Sequence, residues 1–298
     1  MFLSLVVCTV DRADVLSRLF ESLALQSNKD FEVILVDQNP NGDLLRKAEE
    51  WNANGLRVVH MRSERGLSHS RNQGLARVKG QYIAFPDDDC WYPSTLVADV
   101  TAKLRSNPQW AGITGRTISP DGADTCGRWL LNEGEMSRKT VWNQANSTSM
   151  FLRRDLVEKV GYFDESLGLG AKTPWLAAEE TDYLVRALDA GYRIQYCPDI
   201  RIFHPKTERG TPASLMKARL YGRGTGRVLS KQQFGLATFS IFCLRPLAGA
   251  TLKAISGDLR NARFHFQSFL GRLEGYLVSL PLRESSSSGS ILQNPNDR

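Results

Sequence analysis

The sequence predicts an α/β fold in which a mostly parallel sheet is flanked by helices and followed by a C-terminal helical extension. Three observations lead to this prediction. Short apolar runs alternate with segments of helical periodicity through the first half of the chain, as in sheets whose strands are joined by helices. The 298 residues are 42% apolar and 23% charged, which is enough for a sizeable core. Beyond His204 the alternation ends and long basic stretches begin.

The strands predicted in the first half are short apolar runs rich in β-branched residues. They are Leu3–Thr9, Phe31–Asp37, Arg57–Met61 and Tyr82–Phe85. Helices are predicted between and after them at Asp14–Leu25, Ser68–Val78 and Pro93–Leu104. Asp14 and Ser68 are the expected N-caps, because a short polar side chain can accept a bond from a free backbone N–H group at a helix start.

The second half continues the sheet and then changes character. Further strands are predicted at Gly112–Ile118, Thr148–Arg153 and Tyr192–Cys197, with a helix at Thr181–Ala190. Basic amphipathic helices are predicted at Ser214–Leu229, Leu236–Ala254 and Asp258–Leu280. Residues 285–298 are rich in Ser, Asn and Pro and predict a disordered tail. We therefore expect an α/β domain over residues 1–210, a helical region over 211–283 and a tail over 284–298.

The positive charge is concentrated in the C-terminal third. The whole chain has 38 basic and 32 acidic residues, a net charge of +6. Residues 201–283 hold 14 basic and three acidic residues, a balance of +11, and the rest of the chain therefore has a balance of −5. Such asymmetry predicts an anionic partner, either nucleic acid or a membrane surface. Nucleic acid is disfavoured, because the sequence has no recognition-helix motif or stacking platform.

Apolar stretches interleaved with Lys and Arg are typical of helices that lie on an anionic lipid surface. The alternative for these helices is a cap on the α/β domain or a homodimer interface. No uncharged apolar run reaches the length of about 18 residues that a membrane span needs, so peripheral association is the expectation. The scattered, odd set of five cysteines indicates a reducing, cytoplasmic compartment. Met1–Val10 lacks the basic start and cleavage site of a signal peptide.

Polar residues follow three of the predicted strands, at Thr9–Asp11, Asp37–Asn39 and Asp87–Asp89. Ligands of such sheets bind beyond the carboxyl ends of the strands. Three adjacent carboxylates repel one another unless solvent or a cation separates their charges. Oxygen ligands suit Mg²⁺ or Mn²⁺, so Asp87–Asp89 predict a divalent-cation site. The alternative is a solvated acidic turn before the next helix.

Two further segments carry charged groups suited to catalysis or binding. Glu179, Glu180 and Asp182 open a helix, where they either stabilise the helix dipole or supply a general base. Arg65 and Arg71 surround another helix start, an arrangement that binds phosphate but also occurs on ordinary surface helices. His204 is either structural or a metal ligand.

Taken in order, these segments resemble the family 2 glycosyltransferases. The resemblance rests on residues 8–12 (CTVDR), 36–39 (VDQN), 65–74 (RGLSHSRNQG), 85–89 (FPDDD), 168–175 (GLGAKTPW) and 179–182 (EETD), with Arg186, Gly191 and Tyr192. It covers about residues 1–210. It implies a GT-A fold and transfer of a sugar, with inversion, from a nucleotide-sugar donor to an acceptor hydroxyl.

The resemblance also implies roles for individual residues. Nucleotide and donor binding falls to Thr9, Arg12, Asp37, Arg65, Arg71, Asp87 and Asp88. Mg²⁺ or Mn²⁺ would be held by Asp89 and Asp87, with His204 as a further ligand. Glu180 would be the catalytic base, flanked by Glu179 and Asp182, and Trp175 would stack on an acceptor sugar. Two positions depart from the family pattern: Gln38 replaces a usual Asp, and Glu179-Glu180 replaces a usual Glu-Asp pair.

These observations together predict a metal-dependent glycosyltransferase on the cytoplasmic face of a membrane. Its acceptor would be a saccharide or a lipid-linked saccharide destined for a cell-surface polysaccharide or glycolipid. The alternatives are a sugar nucleotidyltransferase and a catalytically silent protein that binds sugar or membrane. The nucleotidyltransferase is disfavoured because residues 10–13 (VDRA) do not form the Gly-rich basic loop expected after its first strand.

Overall fold

The computed structural model describes residues 2–40, 44–206 and 211–278. Within these residues, eight strands form one sheet in the order β3-β2-β1-β4-β7-β5-β8-β6. The strands are β1 Leu3–Thr9, β2 Phe31–Asp37, β3 Val58–Arg62, β4 Tyr82–Ala84, β5 Gly112–Ile118, β6 Gly134–Glu135, β7 Met150–Arg153 and β8 Ile194–Phe203. The predicted tail at 284–298 lies outside the described residues.

The sheet is mixed but mostly parallel, as predicted: six of its eight described strands point the same way, and β6 and β7 run against them. The first four strands run parallel to one another, and β5 runs parallel to β8. Strand β7 is antiparallel to both of its neighbours, and β6 is antiparallel to β8. Strand direction depends on the path of the connecting chain, which the apolar pattern of an isolated strand does not encode.

The helices of the α/β domain are α1 Ala13–Ala24, α2 Leu44–Ala53, α3 Leu67–Leu75, α4 Leu96–Ser106, α5 Arg154–Val160 and α6 Glu179–Asp189. Two predicted N-caps are wrong. The first helix begins after Arg12, so Asp14 lies in its first turn. The third begins after Gly66, whose φ of 140° favours glycine, and Ser68 donates instead to the carbonyl of Leu167.

Successive residues of the central strands pack into different clusters on the two faces of the sheet. Leu5 and Val7 contribute to a cluster with residues of α1, α2 and α4. Val6 and Cys8 contribute to a second cluster with residues of α5 and α6. Burial on both faces explains why the first two strands are continuous apolar runs.

The carboxyl ends of the strands converge at one edge of the sheet. Asp87, three residues beyond β4, forms a parallel bridge with Cys8 at the end of β1. Trp91 and Phe203 exchange backbone hydrogen bonds of 3.0 Å, which join the acidic turn to the end of β8. This exchange brings His204 beside Asp89 although the two are far apart in the sequence.

Three long helices follow: α7 Pro212–Lys231, α8 Gly235–Ile255 and α9 Leu259–Leu277. Glycines let α7 and α9 pack backbone to backbone. A Cβ atom on Gly226 would lie 2.2 Å from the carbonyl oxygen of Arg272, and one on Gly275 would lie 2.0 Å from that of Arg223. Helix α8 packs on α9, where Phe239 stacks on Tyr276 with ring centroids 3.8 Å apart.

One described helix, α8, is long and apolar enough to cross a membrane on length and composition alone, although it contains Arg245 and Lys253. Only 17% of its most apolar window is buried against the rest of the protein. The sequence-based search for a membrane span required an uncharged apolar run, so it did not identify this segment.

We expect Gly275→Ala to destabilise the protein. At an open helical position this change stabilises by up to about 1 kcal/mol. Here the new methyl group would force two helix backbones apart, so we expect a loss of about 1–3 kcal/mol in the free energy of unfolding. Urea denaturation followed by circular dichroism measures it. The control is Gly134→Ala, whose Cβ would meet no atom within 4 Å; a stabilised Gly275→Ala protein would contradict the close helix packing.

Candidate active site

Two aspartates and a histidine form a cluster at the carboxyl edge of the sheet. Asp87, Asp89 and His204 each offer one ligand atom, and these atoms all lie within 4.8 Å of one another. All three residues are partly buried. Two carboxylate oxygens and one imidazole nitrogen form a donor set that suits Mn²⁺ and, with added water ligands, Mg²⁺. The three residues predicted as metal ligands are therefore adjacent.

Asp89 lies between two cationic side chains. His204 Nε2 is 3.2 Å from Asp89 Oδ1, and Arg12 Nη1 donates to Asp89 Oδ2 at 2.9 Å. Burial raises the pKa of Asp89, but the hydrogen bond from His204 and the charges of His204 and Arg12 outweigh it and bring that pKa to about 2. Burial likewise opposes the shift of His204, whose bonds to Asp89 and Cys126 raise its pKa to about 11.

Asp88 is buried and is bonded to the end of β1. Its carboxylate accepts a hydrogen bond of 2.7 Å from Thr9 Oγ1 and one of 2.9 Å from Arg12 Nη1. Burial raises its pKa despite these bonds. The observed contacts of Asp88 are therefore structural, joining the acidic turn to β1, and its role in donor binding stays a prediction, as do those of Thr9 and Arg12.

Arg71 on α3 is buried, with 1% of its surface exposed. Its Nη1 donates to Glu179 Oε1 at 2.9 Å, and its Nη2 donates to Asp87 Oδ1 at 3.4 Å. The other oxygen of Asp87 accepts a bond of 2.6 Å from the Thr148 hydroxyl. One guanidinium thus links the acidic turn to the start of α6. A contact between Arg71 and the donor stays a prediction, whereas this bridge is observed.

The RGLS segment around Gly66 holds a loop rather than presenting arginines on both sides of a helix start. The Ser68 hydroxyl donates to the carbonyl of Leu167 at 2.6 Å, and the Leu67 N–H group donates to that of Leu169 at 2.8 Å. The Gly66 N–H group donates to Gln38 Oε1 at 2.8 Å. Gln38, which replaces the usual Asp of the family pattern, therefore accepts a hydrogen bond from the backbone. Arg65 is exposed and pairs with Asp11 at 2.6 Å.

The two glutamates at the start of α6 differ in environment. Ala178, just before them, has a φ of 69°. Glu179 is buried and bonded to Arg71. Glu180 is partly exposed, and burial together with the charge of Glu179 raises its pKa. A carboxylate with a raised pKa is a stronger base, so Glu180 is better suited than Glu179 to accept a proton.

Asp182 is fully buried and engaged by three groups. It pairs with Lys231 at 2.7 Å and Arg186 at 3.1 Å, and it accepts a bond of 2.7 Å from Gln232 Nε2. Two of these partners lie at the end of α7. These contacts join α6 to α7, and the predicted role of Asp182 beside the catalytic base stays a prediction.

Asp37 is also fully buried at the end of β2. One oxygen accepts bonds from the backbone and the side chain of Asn39, at 2.9 and 2.7 Å. The other lies 3.1 Å from His60 Nε2. Both oxygens therefore have partners, and the predicted contact of Asp37 with a nucleobase stays a prediction.

Trp175 packs against an apolar cluster of Leu167, Ala178 and Val228. The guanidinium of Arg227, on α7, lies 4.5 Å from the centroid of its ring. These neighbours cover part of the ring, and its predicted stacking on an acceptor sugar stays a prediction. Arg227 was not predicted as a site residue. It lies on a basic helix with Lys217, Arg219 and Arg223, and nothing local in the sequence indicates that it would lie over Trp175.

Comparison with known proteins identifies the family of this chain. The sequence model of the family described as "Glycosyl transferase family 2" matches residues 4–161, just over half of the chain. The chain belongs to glycosyl transferase family 2. Membership confirms the predicted family and makes the protein a glycosyltransferase rather than a nucleotidyltransferase.

Two curated relatives match over long stretches. Glycosyltransferase AglE of Haloferax volcanii is 23% identical over 270 residues, which cover 87% of this chain and 86% of AglE. The GalNAc(5)-diNAcBac-PP-undecaprenol β-1,3-glucosyltransferase of Campylobacter jejuni is 26% identical over 203 residues, 64% of each chain.

Solved structures confirm the predicted GT-A fold. TarS 1–349 of S. aureus, in complex with UDP-GlcNAc, superposes with a TM-score of 0.57 and 17% identity and covers 90% of this chain and 91% of its own. The mannosyltransferase PcManGT of Pyrobaculum calidifontis, in complex with GDP-Man and Mn²⁺, superposes with a TM-score of 0.59 and 16% identity and covers 91% of this chain and 86% of its own.

We expect Arg71→Gln to lower the free energy of unfolding by about 3–5 kcal/mol, because it removes the cation from a buried ion pair and leaves Glu179 uncompensated. Urea denaturation measures the loss. Arg46→Gln is the matched control, since the Arg46 side chain is 82% exposed and its loss should change stability by less than about 0.5 kcal/mol. Equal, small effects of the two changes would contradict a bridging role for Arg71.

Proposed function

We propose that this glycosyltransferase transfers a sugar with inversion from a nucleoside diphosphate sugar to an acceptor hydroxyl, with a divalent cation bound at Asp87, Asp89 and His204. The observation that supports it best is the Arg71 bridge. It holds a candidate base segment and a candidate cation site on one edge of the sheet. The base would activate the acceptor hydroxyl and the cation would stabilise the leaving group in a displacement at a sugar carbon.

The cation would be Mg²⁺ or Mn²⁺. When bound, it would stabilise the negative charge that develops on the diphosphate leaving group. Asp89 and Asp87 would supply carboxylate oxygens, and His204 would supply an imidazole nitrogen once it has lost its proton. Arg12, held at 2.9 Å from Asp89, would add positive charge beside the diphosphate.

Glu180 would take the proton of the acceptor hydroxyl. Glu179 is the weaker candidate, because its carboxylate is buried and bonded to Arg71. Glu180 is partly exposed, and its raised pKa makes it the better acceptor of a proton. Attack by an activated hydroxyl on the face opposite the leaving group inverts the anomeric carbon.

The substrates are proposed by class. One structural neighbour was crystallised with UDP-GlcNAc and another with GDP-Man, which supports a nucleoside diphosphate sugar without selecting the base. The C. jejuni relative is named as a glucosyltransferase that acts on an undecaprenol-linked saccharide. We therefore propose a lipid-linked saccharide as the acceptor, in the synthesis of a cell-surface glycoconjugate.

We further propose that α8 lies on the cytoplasmic face of a membrane. Its exposed side chains include the apolar residues Leu236, Ile241, Leu244, Leu252 and Ile255. Exposed cations border this apolar surface at Arg245 and Lys253, and others follow at Arg260 and Arg263. An apolar surface with basic edges suits the interface of an anionic bilayer.

An interfacial position agrees with the packing better than a membrane-spanning one. Helix α8 is held to α9 by the Phe239–Tyr276 stack and by a bond from Arg272 to the carbonyl of Phe242. Helix α9 is in turn packed through glycines on α7. To cross a bilayer, α8 would have to separate from α9 or draw its charged residues into the lipid.

We expect Glu180→Gln to lower the rate of transfer by about 100- to 10,000-fold, because an amide cannot accept the proton. In the unaltered enzyme, the rate should rise with pH until it passes the raised pKa of Glu180, which lies above the ordinary value of 4.5. Release of nucleoside diphosphate from a panel of nucleotide-sugars, with and without Mn²⁺, measures both effects.

Asp89→Asn should remove the metal dependence of that release, whereas Asp99→Asn, on α4, should preserve it. Metal-stimulated release that persists in Asp89→Asn would overturn the cation site. Equal transfer rates in Glu180→Gln and the unaltered enzyme would overturn the base. A chain that binds nucleotide-sugars but neither transfers nor hydrolyses them would be a catalytically silent relative.

Flotation with vesicles tests the membrane proposal on the full chain. We expect binding to phosphatidylglycerol-containing vesicles, weaker binding to pure phosphatidylcholine and loss of binding in high salt. Replacing both Leu244 and Leu252 by Glu should weaken binding more than tenfold, since each buried Leu contributes about 1.5–3 kcal/mol. Leu131→Glu, at a side chain that is 77% exposed on the catalytic domain, is the control. Equal flotation of both variants would refute the proposal.

A further inference from the structure

We infer that Arg227, held over the ring of Trp175, binds a phosphate group of the acceptor beside the proposed base Glu180. This inference rests on the proposed function and extends it to the acceptor. It would make α7 one wall of the active site as well as the connection to the helical extension.

Helix α7 packs directly against the segment that leads into α6. A Cβ atom on Gly224 would lie only 2.3 Å from the carbonyl oxygen of Ala177, so only glycine permits this approach. Ala177 lies two residues before Glu179. The middle of α7 is therefore fixed beside the start of the helix that carries the proposed base.

Residues at helical spacing from Gly224 share its side of α7. Tyr221 precedes it by three positions and Arg227 follows it by three, which is about one turn in each direction. The phenol of Tyr221 lies near the acidic cluster. Burial raises its pKa, and the charges of Glu179, Asp87 and Glu180 raise it further. This side of α7 thus extends from the carboxylates to Trp175.

Arg227 differs from three of the other basic residues on α7. Arg219 and Arg223 both pair with Glu274 on α9, and Lys231 pairs with Asp164 and Asp182. Arg227 forms no ion pair with a described carboxylate, and its buried Nε has no hydrogen-bond partner among the described residues. A buried donor without a partner is costly, so an acceptor of hydrogen bonds would be stabilised there.

Phosphate is the chemistry that this arrangement fits. A guanidinium stacked on an aromatic ring keeps its in-plane N–H donors at its edge, where a phosphate can accept two of them together. Trp175 would act as a positioning residue, because it packs on Leu167, Ala178 and Val228 and supports the guanidinium from one side. In a lipid-linked saccharide, phosphate joins the sugar to the lipid.

Isothermal titration calorimetry of the full chain with geranyl diphosphate, inorganic pyrophosphate and geraniol tests the inference. EDTA is present, so that no metal recruits a diphosphate to the acidic cluster. We expect both diphosphates to bind, and geraniol not to bind. Arg227→Gln should weaken diphosphate binding about 10- to 100-fold, the range expected for a hydrogen bond to a charged group. Arg227→Lys should weaken it less.

Arg46→Gln is the control, since it removes one exposed charge outside the proposed sites and should leave binding within about twofold. Trp175→Ala should weaken binding and Trp175→Phe should restore most of it, a rescue that loss of folding would not produce. Tighter binding of geranyl diphosphate than of pyrophosphate identifies a lipid-linked phosphate, and equal binding identifies a free one.

Unchanged binding in Arg227→Gln, equal losses in Arg227→Gln and Arg46→Gln, or binding of geraniol as tight as that of geranyl diphosphate would overturn the inference. The titration contains no donor and measures no turnover. Failure of the proposed function would instead appear as the absence of metal-dependent transfer and hydrolysis, whatever the titration shows.

Discussion

The arrangement of the active site depends on one buried cation. Arg71 is almost completely removed from solvent, and burying an unpaired guanidinium would cost several kcal/mol. Glu179 and Asp87 compensate that cost, and in doing so they fix α3, the start of α6 and the acidic turn after β4 relative to one another. Removing Arg71 leaves the buried Glu179 without its partner, and removing Glu179 leaves Arg71 with only its longer contact to Asp87. The bridge therefore constrains both the fold and the distance between the proposed base and the proposed cation site.

The same bridge gives the adjacent residues Glu179 and Glu180 different environments. Glu179 is held by Arg71 and approached closely by Gly168, where a Cβ atom would lie 3.2 Å from its carboxyl carbon. Among the described residues Glu180 pairs with no cationic side chain, and burial beside the charge of Glu179 raises its pKa. The charge that stabilises the bridge therefore also strengthens the neighbouring base. This coupling favours Glu180 although the family pattern usually has an Asp at that position.

The strands were predictable because their cause is local: an apolar run buried on both faces of a sheet is visible in the sequence. A cation site at Asp87 and Asp89 was predictable from the chemistry of adjacent carboxylates, but the approach of His204 was not visible in the pattern, since it depends on the Trp91–Phe203 pairing. Contacts with distant partners were not predictable. Ser68 bonds to Leu167 instead of capping its helix, and Asp182 also bonds to Lys231 on α7.

The basic residues of the C-terminal third also differ in their partners. Some are paired with carboxylates of other helices, and others are exposed or unpaired among the described residues. Arg219, Arg223 and Lys231 are paired within the protein and contribute little to an external field. The cations of α8 and of the start of α9 are exposed, and Arg227 forms no ion pair with a described carboxylate. Because α7 and α9 are packed backbone to backbone, a lipid surface bound by α8 would be held at a fixed distance from Arg227 and Glu180. Membrane attachment and acceptor recognition would then both depend on the glycine-mediated packing of α7 on α9 and on the side-chain contacts that join α8 to α9.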